Sequence, residues 1–131
     1  MDRILLVGTG GFIGSVLRYW VSGYIQQLSN SNLFPFGTLV VNFLGCLVIG
    51  FLSQIAEEYG AFNTESRALV FTGILGGFTT FSTFSNETLN LLRDGQNVLA
   101  FGNIAGHLIL GIGAVWPGLV GCNFKAETFL C

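Results

Sequence analysis

Few side chains in this sequence of 131 residues can do chemistry, and most of those stand inside long apolar runs. Burying a polar group in hydrocarbon costs several kcal/mol unless it is satisfied, so each is a functional candidate with a structural alternative. Arg18 can snorkel to an interface or stand as a fixed positive charge at a pore mouth. Asn42, in Thr38-Leu39-Val40-Val41-Asn42-Phe43, can glue two helices or offer two N–H donors to an anion. Thr38 lies four residues earlier, on the same helical face. Phe78, Phe81 and Phe84 recur every three residues among hydroxyls, either as a packing stripe or as electropositive ring edges turned to a small anion. Glu87 follows Phe84 by one turn, as a proton relay, a vestibule charge or a solvated helix end. Asn103 and His107 share a face one turn apart. A helix-contact hydrogen bond accounts for them more simply than a metal, since there is one histidine and no companion ligand set. Cys46, Cys122 and Cys131 form no CxxC or Cys/His pattern and are expected as unpaired thiols. No nucleophile–base pair, metal set or phosphate-binding loop points to an enzyme.

The elements that must position these residues are membrane spans. Hydrophobic residues make up 51% of the chain and charged ones 9%, against roughly 25% charged in soluble domains. The net charge of −2 is spread thinly and offers nucleic acid no basic patch. A span needs about 20 mostly apolar residues, and four such stretches occur: 4–25, 34–56, 68–92 and 98–121. The first is too long for a signal-peptide core and is followed by three more. Phe34-Pro35-Phe36-Gly37 reads as a helix start. Asp94-Gly95 is a turn signal, Trp116-Pro117 fits an interfacial anchor with a kink or stop, and the tail 123–131 reads as frayed. The expected fold is all-α, four transmembrane helices in one channel domain, 1–131.

The third stretch is unusual. Gly73-Ile74-Leu75-Gly76-Gly77-Phe78-Thr79-Thr80-Phe81-Ser82-Thr83-Phe84-Ser85 sets three glycines and five hydroxyl residues at mid-span. Both kinds weaken helices, which predicts a broken helix lining a cavity; a close helix crossing cushioned by small residues is the alternative. Gly10 with Gly14, and Gly102 with Gly106, have the four-residue spacing of close helix contacts. So small a bundle has little interior for a path of its own, which suggests a homodimer or larger assembly. Arg3, Arg67 and Lys125 fall on one side, Arg93 on the other, with Arg18 near a span end. Lys/Arg excess sets orientation; this bias is small, so insertion both ways and pairing of opposed copies are expected.

Read together, these segments resemble the small fluoride channels called Fluc, or CrcB-type proteins, from Gly10 to about Gly121. The landmarks are Gly10-Gly11-Phe12-Ile13-Gly14 with Arg18-Tyr19, then Gly37-Thr38-Leu39-Val40-Val41-Asn42-Phe43-Leu44-Gly45, and above all the Gly73–Ser85 block with Glu87. The resemblance implies a dual-topology, antiparallel homodimer in the inner (plasma) membrane with two fluoride pores. It also implies a central structural sodium ion held by main-chain carbonyls at the third-helix break. Carried over by position, Phe81 and Phe84 are the pore phenylalanines and Asn42 the donor amide. Gly76 and Thr79 are the sodium-binding carbonyls, Arg18 the vestibule charge, and Thr38, Ser82 and Thr83 the pore hydroxyls. Glu87 matches the acidic residue after the phenylalanines. Asn103 and His107 stand where many members carry tyrosine and serine. His107 is counted with the pore by position, and this departure leaves fourth-helix roles open. Fluoride is small and strongly hydrated, so amide, hydroxyl and ring-edge donors must replace its water. A pore without a central Lys or Arg avoids trapping it. The alternative is a small multidrug-type transporter, also a four-span dual-topology dimer. It needs a carboxylate deep in the membrane, whereas Glu87 is near a span end. A non-transporting assembly subunit would leave the Gly/Thr/Phe break unexplained.

Overall fold

A computed structural model describes the backbone of residues 2–128 and the side chains of residues 2–116. Four helical stretches are long and apolar enough to cross a membrane: Asp2–Ser29, Phe36–Tyr59, Thr64–Arg93 and Asn97–Trp116. The first two are the single helices α1 (Asp2–Ser29) and α2 (Phe36–Tyr59). Twenty-four helical residues in α2 span about 36 Å at 1.5 Å per residue, enough for the hydrocarbon core. Large apolar side chains such as Phe12, Trp20, Phe101 and Ile109 are exposed, the surface that lipid solvates. The protein is a multi-pass, all-helical membrane protein.

The connections are short and held by polar groups. Asn30, at φ 49°, leaves α1 through the left-handed region. Gln26 then pins the turn, its Nε2 donating to the carbonyls of Ser31 (2.6 Å) and Phe34 (3.1 Å) and its Oε1 accepting from Gly37 N (3.0 Å). Pro35 caps the start of α2 and Gly60 ends it in a left-handed conformation, where glycine carries no steric cost. The Asn63 side chain accepts from Ser66 N at 2.8 Å and caps α3 (Thr64–Arg67).

The third span is composite. α3 runs into a π-helical stretch, Ala68–Leu75, then a single turn α4 (Gly76–Phe78), then the extended pair Thr79–Thr80, and only then α5 (Phe81–Arg93). Both sequence readings of this segment hold, because the helix is broken at Thr79–Thr80 and its first half also crosses α1 closely. Gly10 and Gly73 meet backbone to backbone: a Cβ on Gly73 would lie 2.9 Å from Gly10 Cα. A Cβ on Gly14 would strike the Ile74 carbonyl.

α6 (Asn97–Thr128) packs on α2 and α5. Four expectations need correction. The helix does not stop at Trp116-Pro117 but continues to Thr128; proline removes one donor, which one helix turn can lose without ending. The expected frayed tail is helical up to that residue, and 129–131 lie outside the described residues. A Cβ added to Gly102 would meet nothing within 4 Å, and one added to Gly106 would meet only the Leu39 side chain, at 3.5 Å, so within one subunit this pair makes no close backbone contact. Phe78 does not share a helical face with Phe81 and Phe84, because the extended Thr79–Thr80 pair separates α4 from α5.

Candidate functional site

The break is built by one side chain on α2. Asn42 Nδ2 donates to the Thr80 carbonyl at 3.0 Å, and Asn42 Oδ1 accepts from Thr80 N at 2.8 Å. This two-point clamp imitates a strand partner and holds Thr80 at φ −149°, ψ 112°. Thr80 in turn caps α5. Its Oγ1 accepts from Thr83 N (3.2 Å) and donates to Thr83 Oγ1 (3.0 Å). The Ser82 hydroxyl, 3.3 Å away, must then be the donor to Thr80 Oγ1. An N-cap threonine of this kind is a standard start for a helix.

The clamp and the cap together free two carbonyls. In a continuous helix, Thr80 N would bond to Gly76 O and Thr83 N to Thr79 O. Here those N–H groups go to Asn42 Oδ1 and Thr80 Oγ1. Gly76 and Thr79 both line a cavity of about 350 Å³, and Gly76 is exposed. Main-chain carbonyls that lose their helical donors in a membrane span are hard oxygen acceptors left to be satisfied in another way.

Two cavities meet at the break. The larger, about 660 Å³, is lined by Arg18, Thr38, Thr80, Thr83 and Glu87, with Asn90 and Asp94. The smaller is lined by Asn42, Gly76, Thr79, Thr80, Phe81, Phe84 and His107. Thr80 belongs to both, so its clamp to Asn42 stands at the partition. Ser82 lines neither cavity and reaches the site only through Thr80. The hydroxyls differ in what they have left to give. Thr38 Oγ1 donates to Glu87 Oε1 at 2.7 Å, and Ser82 spends its hydrogen on Thr80. Thr83 only accepts from Thr80 in this network, which leaves its hydrogen for a guest in the larger cavity. Asn42 Nδ2 likewise has a second N–H beyond the one on Thr80.

The aromatic pair follows. Phe81 and Phe84 approach at 5.5 Å between ring centroids. Phe81 is 79% exposed, and Phe84 leans on the His107 ring at 4.3 Å. His107 Nδ1 lies 3.0 Å from the Asn103 carbonyl. Asn103 is fully buried and donates through Nδ2 to Thr88 Oγ1 at 2.9 Å, while Thr88 donates to the Phe84 carbonyl at 2.8 Å. Glu87 Oε2, Asn103 Oδ1 and His107 Nε2 are buried and have no hydrogen-bond partner among the described residues.

Sequence reasoning did not count Thr80 or Thr88 as site residues. The Thr80 signal was present: a threonine three residues before Thr83 at the end of a Gly-rich turn is an N-cap pattern. Thr88 carries no comparable local signal, because its partner Asn103 lies fifteen residues away on another helix.

This architecture defines a class: a small polytopic helical membrane protein whose third span is broken between two cavities, one carrying the charged groups Arg18 and Glu87 and the other mostly apolar. The family described as CrcB-like protein, Camphor Resistance (CrcB), matches residues 5–119, and the chain belongs to that family. It is 43% identical over 118 residues to a Methylobacillus flagellatus protein named "Fluoride-specific ion channel FluC", covering 90% of this chain and 92% of that one. Proteins of the same name from Opitutus terrae and Elusimicrobium minutum are 47% and 44% identical over 120 and 132 residues. Those matches cover 90% of both chains in the first case, and 99% of this chain and 97% of the relative in the second.

Proposed function

We propose that this chain is a fluoride-selective ion channel, not an enzyme, and lets fluoride leave the cell passively across the plasma membrane. The observation that carries this reading is the clamped break at Asn42–Thr80 between two cavities, in a chain similar along nearly its whole length to proteins named fluoride-specific ion channels.

The chemistry follows from fluoride's hydration. The anion must exchange water for several weak donors in series, since one strong cationic site would hold it. Arg18 in the larger cavity supplies a positive charge at the mouth without entering the narrow part. The spare hydrogens of Thr83 and Asn42 then offer a hydroxyl and an amide on either side of the partition. Phe81 and Phe84 offer ring edges in the smaller cavity, where their positive quadrupole rim suits an anion. Thr38 fixes Glu87 and so keeps a carboxylate oxygen from swinging freely into the path; Ser82 orients Thr80.

The working unit is an antiparallel homodimer with two pores. One subunit leaves the polar residues Ser82, Ser85 and Asn86, with Phe81, exposed at the start of α5, a face expensive to leave against lipid. It also offers only two freed carbonyls, Gly76 and Thr79. A second copy about a two-fold axis covers that face and doubles the carbonyls to four oxygens. These carbonyls would hold the central sodium ion. When bound, it neutralises carbonyl dipoles at the subunit contact and stabilises the break.

The test is valinomycin-coupled fluoride efflux from proteoliposomes with no proton gradient and no ATP. Efflux under those conditions supports a channel. Strict dependence on an imposed proton gradient would overturn passive export and favour a transporter.

A further inference from the structure

His107 makes contacts that the conduction reading leaves unused. Its Nδ1 faces the Asn103 carbonyl at 3.0 Å. A carbonyl only accepts, so Nδ1 carries the hydrogen, and in the neutral ring Nε2 is a bare acceptor. That Nε2 is buried with no hydrogen-bond partner among the described residues. The ring stands 4.3 Å from Phe84, tilted by 40°, and His107 lines the smaller cavity with Asn42 and Phe81.

Neither protonation state is satisfied by the described residues of one subunit. The neutral ring buries an unpaired lone pair, at a cost of about 1–3 kcal/mol, and that lone pair repels an anion. Protonation turns Nε2 into a donor and puts a cation beside the Phe84 ring, within the range of cation–π attraction. It also leaves a charged N–H without an acceptor. Fluoride alone lacks a donor at this point, and the imidazolium alone lacks an acceptor; each supplies what the other needs.

We infer that His107 is a proton-linked fluoride site: an anion arriving at Nε2 draws a proton from bulk water onto the ring, and the proton leaves when the anion does. This rests on the fluoride reading above. Other ionisable groups around it do not replace it. From α2, Cys46 lines the same cavity, but a thiol is neutral or negative. From α5, Glu87 lines the larger cavity and is engaged by Thr38. Within residues 97–116 of α6 there is no second ionisable side chain, and Phe71, Leu75 and Gly76 contribute none from the third span.

Binding linkage is reciprocal. If fluoride binds the protonated ring tenfold more tightly, saturating fluoride raises the histidine's titration midpoint by about one pH unit. The chain has a single histidine, so 15N-histidine labelling gives one ring to follow by NMR in the purified full-length protein. The titration is run from pH 5 to 8 in sodium fluoride and in sodium chloride at equal ionic strength. The expected result is an Nδ1–H tautomer at high pH and a midpoint about one unit higher in fluoride than in chloride. Equal midpoints in a preparation that passes fluoride normally in liposomes would overturn the proton linkage and leave the channel reading intact. Equal midpoints together with no fluoride efflux would overturn both.

Discussion

At the scale of single residues, Asn42 has two duties that one mutation cannot separate by flux alone. It clamps Thr80 through both ends of its amide, and in the proposed pore its second N–H would meet the ion. Asn42→Asp sets a carboxylate against the Thr80 carbonyl and leaves an unpaired acceptor pair, so it should lower stability by about 2–4 kcal/mol as well as suppress fluoride flux. Thermal unfolding monitored by size-exclusion chromatography reads the first effect, and an unchanged transition would contradict the clamp. Phe81 separates more cleanly, because it is largely exposed within one subunit. Phe81→Ile roughly keeps apolar volume, so the subunit should fold while flux falls tenfold or more if the ring edge meets the ion. A folded Phe81→Ile variant with normal flux would reduce this ring to packing. Thr83 and Thr38 form a further contrast. Thr83→Val removes a spare donor and should slow flux by about tenfold, or about 1.4 kcal/mol of barrier. Thr38→Val removes a hydrogen already spent on Glu87, so its effect should be the smaller. The reverse order in efflux assays would contradict the donor assignment.

At the scale of elements, the third span does two opposed things within one sequence block. Its first half packs on α1 so closely that Gly73 and Gly10 leave no space for a Cβ; its middle gives up helical hydrogen bonds to Asn42 and Thr80. Gly73→Ala forces two backbones apart and should cost about 1–3 kcal/mol, seen as early loss of the folded peak on heating. An unaltered unfolding transition would show that the crossing can relax. The spans and the weakness at mid-span were legible in the sequence, because apolar length and Gly/Thr density are local properties. The break's position was legible only as a region. Which residue bends depends on Asn42, thirty-eight positions away from Thr80. The π-helical stretch Ala68–Leu75 was not legible, since its residues are ordinary apolar ones and its register is set by packing on α1. Gly102 and Gly106 make no close backbone contact within one subunit for a related reason: spacing alone does not say whether another helix of the same chain stands opposite. Phe78 misled because a period of three carries no meaning across an interruption of the helix.

At the scale of the whole molecule, the proposed channel is a pair. In it a second copy would cover the exposed start of α5 and add its own two carbonyls to those of Gly76 and Thr79. The small Lys/Arg asymmetry among Arg3, Arg67, Arg93 and Lys125 would let that copy insert the other way up. Cysteine labelling in the loop near Arg67 should then find comparable amounts on both membrane faces; labelling on one face alone would contradict opposed insertion. The central claim, though, is ion choice, and purified protein in liposomes tests it most directly. Halide efflux is measured with ion-selective electrodes in matched fluoride-loaded and chloride-loaded vesicles. Fluoride efflux should be rapid, with chloride efflux no faster than from protein-free vesicles. Equal rates for the two halides would contradict fluoride selectivity.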